Sequence, residues 1–372
     1  MTKPRLRDLG IVIGDLPTGP HNAITDVPGV LVGHTTVVRD EPRITRTGVT
    51  VILPRGGGVR DNPAFAGYHA LNGCGEMTGV VFVEEFGWLA SPVAVTDTTQ
   101  VGLVRDALIQ YAVERYGKGA HYHGVVGETW GGQLNDRDGF ALTREDVFAA
   151  IDSATTGPVA EGNVGGGTAM TCYEFKGGIG TSSRRIELAG EPFTVGVLVQ
   201  ANHGERQQLR VDGVPVGREL GADVAPLVSV SAPAADRDSA RSVPTQTGSI
   251  IIVLATDAPL LSLQCKRLAR RGAMGLARTG SVAHIGSGDL FLAFATGNDL
   301  PFADEKLYTL RALPDWSLDP LLDAAADAVE EAILNALVAA ESMTGVAGHH
   351  AHALPHDELK RVMARYRPAA PS

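Results

Sequence analysis

Thr247-Gly248-Ser249-Ile250-Ile251-Ile252-Val253-Leu254-Ala255-Thr256-Asp257-Ala258-Pro259-Leu260 places a Gly-Ser step at the entrance of a strand that is apolar at nearly every position. Such a strand must be covered on both faces, which points to a layered α/β architecture rather than an open, half-exposed sheet. Just upstream, Ser231 to Thr247 is polar and rich in Ala, Ser, Pro, Arg and Asp, the composition of an exposed loop.

Working outward, further short apolar runs read as strands at Ile11 to Ile13, Val49 to Leu53, Val80 to Val83, Val195 to Val199 and Leu290 to Phe294. Amphipathic helices are predicted between them. Thr98 to Tyr116 aligns Val101, Val104, Leu108 and Tyr111 on one stripe, and Leu321 to Ala340 aligns Leu322, Ala325, Val329, Ile333 and Ala336. Another helix is expected after Asp257, capped by that residue, with Pro259 in its first turn and Leu260, Leu261, Leu268 and Leu276 as its apolar face. A last helix is expected over Asp357 to Tyr366.

The 372 residues carry 44% hydrophobic and 20% charged side chains, enough to bury a large core, and no linker or charge block divides them. A single interwoven domain follows. The net charge of −10, with no basic tract, argues against nucleic acid or an anionic membrane as partner. Met1 to Asp8 lacks the apolar stretch of a signal peptide, so a cytoplasmic protein is expected. Cys74, Cys172 and Cys265 are odd in number and lack CxxC spacing, which favours buried thiols over disulfides or zinc.

The Gly-Ser step has chemical potential. A serine hydroxyl facing the preceding glycine carbonyl can attack it, because glycine puts no side chain in the way and tolerates a strained turn. Cleavage of the resulting ester would leave Ser249 at a new N-terminus. Its α-amine, with an ordinary pKa of about 7.7 to 8.0, would sit close enough to the hydroxyl to take its proton.

Other segments resemble a known family. They are Ile24-Thr25-Asp26-Val27-Pro28-Gly29-Val30, Thr47-Gly48-Val49-Thr50, Val125-Val126-Gly127-Glu128 with Leu134-Asn135-Asp136, Gly162-Asn163-Val164-Gly165-Gly166-Gly167-Thr168, Gly177 to Arg184, Val199-Gln200-Ala201-Asn202 and Gly286-Ser287-Gly288-Asp289. With the Ser249 strand, these resemble, in order, the self-processing L-aminopeptidase/D-amidase-esterases and β-peptidyl aminopeptidases, a DmpA-like group. The resemblance implies a four-layer α-β-β-α sandwich cut between Gly248 and Ser249 into fragments 1–248 and 249–372. It also implies a homotetramer of processed protomers acting on small peptides, amides or esters without cofactor or metal.

On this resemblance Ser249 is the nucleophile, Ser287 and Asp289 the pair that activates it, and Asn202 the oxyanion-hole donor. A Ser-x-acid spacing on a strand-like turn puts both side chains on one face. Relatives carry Glu where this chain has Asp289, one methylene shorter. Glu128 resembles the acid that receives the substrate's free ammonium group. Gln133 stands where some relatives place a tyrosine, no Tyr occurs between Tyr122 and Tyr173, and Gln133 is therefore a candidate substrate-binding residue of altered preference.

Competing readings remain. Gly165-Gly166-Gly167-Thr168 lacks the Lys-Ser/Thr of a phosphate cradle and reads as a tight loop beside the site. His349, His350, His352 and His356 fit no familiar zinc spacing and read as a solvated loop. An acyltransferase of the ornithine acetyltransferase type would share the self-cleaving logic, but with Thr as nucleophile. An inactive, uncleaved scaffold is the non-catalytic alternative.

Overall fold

Ile250 to Leu254 lie inside an eight-residue strand, Ser249–Thr256, buried at every position, as a strand sandwiched between two layers must be. The structure, a computed structural model, describes residues 3–56, 58–120, 123–220, 248–301 and 307–367; the polar stretch Ser231 to Thr247 lies outside the described residues.

The chain opens with β1 Leu31–Arg39, β2 Thr45–Leu53, β3 Ala64–Gly73, α1 Val80–Phe86, β4 Trp88–Leu89, β5 Val93–Asp97, α2 Val101–Tyr116 and β6 Val125–Thr129. It continues through α3 Arg144–Asp152, β7 Thr171–Cys172, β8 Phe175–Lys176, β9 Gly178–Leu188, β10 Glu191–Asn202 and α4 Val216–Glu219. After β11 Ser249–Thr256 come α5 Ser262–Arg270, α6 Gly272–Arg278, β12 Gly288–Ala295, α7 Asp319–Val338, β13 Met343–Thr344, β14 His350–Ala351 and α8 His356–Tyr366.

Two main sheets result, ordered β1-β2-β5-β6 and β4-β3-β12-β11-β10-β9. Alternate residues of each strand point to opposite layers. From β11, Ile251 and Val253 join Ile52, Val93, Val95 and Leu198 between the sheets, while Ile250, Ile252 and Leu254 pack with Leu268 of α5 and Val329 and Ile333 of α7. On the far side, Val49, Val51 and Ala94 pack against Val104 and Leu108 of α2 and Val147 of α3. The layers are therefore helices, sheet, sheet, helices in a single domain, the expected four-layer sandwich.

Several expected elements differ. Val80 to Val83 begins α1 instead of a strand, and Gly79 and Gly87 bracket it in the left-handed region at φ 74° and 71°. Among the described residues Ile11 to Ile13 pairs with no strand; Ile11 and Ile13 instead plug the helix-side core while Val12 is exposed. Asp257 caps no helix, because its Oδ1 accepts the Thr194 N–H at 2.7 Å. The helix starts only at Ser262, where Gln264 Oε1 accepts the Leu261 N–H at 3.0 Å, and it breaks into α5 and α6 before Leu276. Cys172 and Cys265 are buried as expected, but Cys74 is exposed. Among the described residues no helix is long and apolar enough to cross a membrane.

Candidate active site

Sheet register sets Ser249 beside Asn202 and Gly288, with Ser287 and Asp289 as the chain neighbours of Gly288. Ser249 is the first residue of β11; its antiparallel partner on β10 is Asn202, and its parallel partner on β12 is Gly288. Ser287 and Asp289 flank Gly288, so they share a face, and the Ser287 hydroxyl donates to Asp289 Oδ1 at 2.8 Å. The shorter acid thus reaches its serine. Asp289 is wholly buried, its Oδ2 has no hydrogen-bond partner among the described residues, and burial pushes its pKa up to about 6 against the opposing Ser287 bond.

The Gly-Ser step meets one backbone donor. Gly288 N–H points to Gly248 O at 3.2 Å and to Ser249 Oγ at 3.3 Å. Gly248 passes so close to His203 that a Cβ on it would lie 3.0 Å from His203 Cα, and a Cβ on Gly288 would lie 2.7 Å from Cys74 O. Glycine at both positions lets the chain segments approach and keeps the carbonyl, the hydroxyl and the amide in one cluster.

Asn202 is held at both ends of its amide. Its Oδ1 accepts the Thr171 N–H at 2.8 Å, and its Nδ2 donates to Trp130 O at 3.0 Å. Those bonds fix which end is NH₂ and leave the second Nδ2 hydrogen for another acceptor.

Glu128 lies on β6 in the other sheet, yet Gly75 bridges it to Gly288 of β12, the parallel neighbour of the Ser249 strand. A Cβ on Gly75 would sit 3.1 Å from both Glu128 Oε1 and Gly288 Cα. Glu128 accepts the Glu76 N–H at 3.0 Å and the Thr98 hydroxyl. Burial raises its pKa above the ordinary value, against those two bonds. Beside it, burial pushes Asp97 up to about 6. A pair of desolvated carboxyl groups is an environment suited to a cation. Gln133 Oε1 accepts the hydroxyl of Thr171 at 3.3 Å, the same residue whose N–H bonds Asn202.

Sequence reasoning missed Thr171, Trp130, Gly288 N–H, Thr98 and Asp97. Backbone donors and acceptors leave no mark in residue identity, so only the fold could place the first three.

The remaining motifs have other uses. Gly165–Gly167 is a buried turn wedged among the sheets, where a Cβ on Gly166 would lie 2.1 Å from Gln200 Oε1 and 2.5 Å from Val95 O. The four C-terminal histidines are half-buried instead of solvated. His349 Nδ1 bonds Gln133 O at 3.0 Å, His350 Nδ1 bonds Thr344 Oγ1 at 2.8 Å, His356 Nε2 bonds Val338 O at 2.9 Å, and His352 packs edge-on to His350. Among the described residues no His, Cys, Asp and Glu side chains group as metal ligands.

A buried serine at a strand entrance of a four-layer sandwich, beside a hydrogen-bonded Ser287–Asp289 pair at the start of the neighbouring strand, is an arrangement suited to a hydrolase of the N-terminal-nucleophile type. The profile of Peptidase family S58 matches residues 22–351, and the chain belongs to that family. It is 45% identical over 371 residues to the beta-peptidyl aminopeptidase BapA of Sphingosinicella microcystinivorans, covering 98% of this chain and 93% of that protein. The L-aminopeptidase D-Ala-esterase/amidase of Ochrobactrum anthropi, described as a prototype serine aminopeptidase with a variant Ntn hydrolase fold, superimposes with a TM-score of 0.88 at 42% identity, covering 99% of this chain and all (100%) of that one. A Burkholderia sp. beta-aminopeptidase gives a TM-score of 0.86 at 46% identity, with 99% and 100% covered. The protein is thus a hydrolase of the aminopeptidase class.

Proposed function

We propose that this aminopeptidase matures by cutting its own Gly248–Ser249 bond and then works through the freed Ser249. The observation that carries the reading is the single Gly288 N–H that meets both the Gly248 carbonyl oxygen and the Ser249 hydroxyl. In self-cleavage Ser249 Oγ attacks the Gly248 carbonyl carbon, and its proton passes through Ser287 to Asp289. Gly288 N–H stabilises the charge gathering on Gly248 O. The C–N bond then breaks, the proton returns to the Ser249 nitrogen, and water hydrolyses the ester that joins Gly248 to Ser249 Oγ. Fragments 1–248 and 249–372 remain together as one domain.

In turnover the same hydroxyl attacks the carbonyl carbon of the substrate's N-terminal residue, with the α-amine of Ser249 now available as a further proton acceptor. Asn202 Nδ2 donates to the tetrahedral oxygen, the amine leaves protonated, and water releases the acyl group from Ser249. Glu128 receives the substrate ammonium, which confines cleavage to the first residue. Gln133 borders the same pocket and tunes which side chain fits.

The relatives' names favour β-peptides, substrates with an N-terminal L-residue, and esters and amides of D-Ala. No cofactor enters these steps. A cytoplasmic homotetramer of processed protomers completes the reading. The test is release of p-nitroaniline from the L-Ala, D-Ala and β-Ala anilides. Release from at least one, with none from its N-acetylated form, is expected; equal release from the acetylated form would sink the assignment of Glu128 and the aminopeptidase specificity with it.

A further inference from the structure

Lys176, on β8, is wholly buried. Its Nζ donates to three backbone carbonyls, Met170 O at 2.8 Å, Gly177 O at 2.8 Å and Gly167 O at 3.2 Å. Burial drives its pKa well below the ordinary value and so favours the neutral amine, with Lys3 acting in the same direction and the Cys172 thiol against it, while the three carbonyls gathered on Nζ favour the protonated form. Only the protonated amine has three donors for three acceptors, since a neutral amine would turn its lone pair on one carbonyl. A buried cation without an acid partner is costly, and packing alone would be served by an apolar side chain of the same length.

The position of the bonds suggests what the charge does. The Met170–Thr171 peptide group accepts Lys176 Nζ at its carbonyl and donates from its N–H to Asn202 Oδ1, also at 2.8 Å. The same carbonyl accepts Gly177 N–H at 2.8 Å. The run is continuous from ammonium to peptide carbonyl, peptide N–H, Asn202 carbonyl and Asn202 NH₂. Each amide polarised at its oxygen becomes a stronger donor at its nitrogen, so the links reinforce one another in a low-dielectric interior.

We propose that Lys176 is a positioning residue for the oxyanion hole, orienting and polarising Asn202 through the Met170–Thr171 peptide group. The proposal rests on the reading of Asn202 as the oxyanion donor. Lys176 touches neither substrate nor nucleophile in this scheme. It sets the direction of the Asn202 amide and strengthens its free N–H toward the tetrahedral oxygen, so its effect belongs to the transition state rather than to substrate binding.

The experiment is a double-mutant cycle on the full chain with β-Ala p-nitroanilide or whichever anilide is turned over best, kcat being expressed per cleaved protomer. Lys176→Met is expected to lower kcat about tenfold or more with KM changed less than about threefold. In an Asn202→Ala background the same substitution should cost less than about threefold, because the group it acts through is gone. Lys176→Gln, which keeps two donors without the charge, guards against misfolding and should show the same split at a thermal midpoint near that of the parent. Equal losses in both backgrounds would overturn the proposal, as would losses that follow the folded fraction in both variants. If Asn202→Ala alone leaves kcat within threefold, the oxyanion reading itself fails, an outcome distinct from additivity in the cycle.

Discussion

Asn202 and Ser249 are direct cross-strand partners, the last residue of β10 opposite the first of β11. Opposed residues in an antiparallel pair send their side chains to the same face, with Cβ atoms about 4.5 to 5.5 Å apart. The amide and the hydroxyl are therefore set side by side by hydrogen-bonded sheet, not by a loop. On the other flank the parallel register with β12 delivers Gly288, and with it Ser287 and Asp289. A shift of one residue in the β10–β11 ladder would turn Asn202 and Ser249 to opposite layers.

Asp289 should give the cleavage reaction a pH signature. Before the cut there is no free Ser249 amine, so the proton must go to an ionised Asp289, whose pKa burial raises to about 6. The ionised form is lost as pH falls through that value. Chain cleavage, followed on freshly synthesised protein at set pH, should slow below about pH 6. Asp289→Asn should remove the inflection and slow the step by about 10² to 10⁴.

Glu128 should act on recognition. Glu128→Gln removes a buried, charge-assisted contact of about 1.5 to 3 kcal/mol, so kcat/KM should fall by roughly 10- to 100-fold. The loss should be confined to substrates with a free amine, and N-acetylated substrates should not lose further. A variant that discriminates between the two as well as the parent would show that the ammonium binds elsewhere.

Gly248 should be intolerant of a side chain. Gly248→Ala places a Cβ 3.0 Å from His203 Cα and 3.3 Å from His203 Cβ, so the strand entrance must move by a few tenths of an ångström. Displacement of the carbonyl from Gly288 N–H should slow self-cleavage about tenfold or more, read as the persistence of uncut chain on a denaturing gel.

Glu331 ties the N-terminal segment to the core. Its carboxylate takes Arg184 at 2.6 Å, Arg7 at 2.8 and 2.9 Å and Asn22 at 2.5 Å. Burial would raise its pKa, and the two arginines and Asn22 outweigh that and hold it below the ordinary value. A depressed carboxylate contributes stability above its unfolded pKa and loses it as pH falls through the folded one. Glu331→Gln should destabilise the protein by about 3 to 5 kcal/mol at neutral pH and reduce its loss of stability in acid, both measured by denaturant unfolding.

Much of this was legible in the sequence where one signal dominates. The β11 strand, α2 and α7 follow from apolar periodicity, and the Gly-Ser step at a strand entrance drew the eye to the site. Val80 to Val83 misled because four β-branched and aromatic residues fit a strand as well as a helix face, and the deciding signal was the pair of flanking left-handed glycines. Asp257 misled because a residue able to cap a helix can equally accept a strand N–H, here that of Thr194. Lys176 carried a faint signal, a lone cation amid Phe175 and Gly177-Gly178, but its meaning depends on the carbonyl of Met170, which no sequence pattern announces.

The most direct measurement is the intact mass and N-terminal residue of the purified protein beside Ser249→Ala. Two chains, one ending at Gly248 and one beginning with serine at position 249, and an uncut, inactive variant are the predicted result. A single active 372-residue chain, or cleavage that survives in Ser249→Ala, would contradict the account.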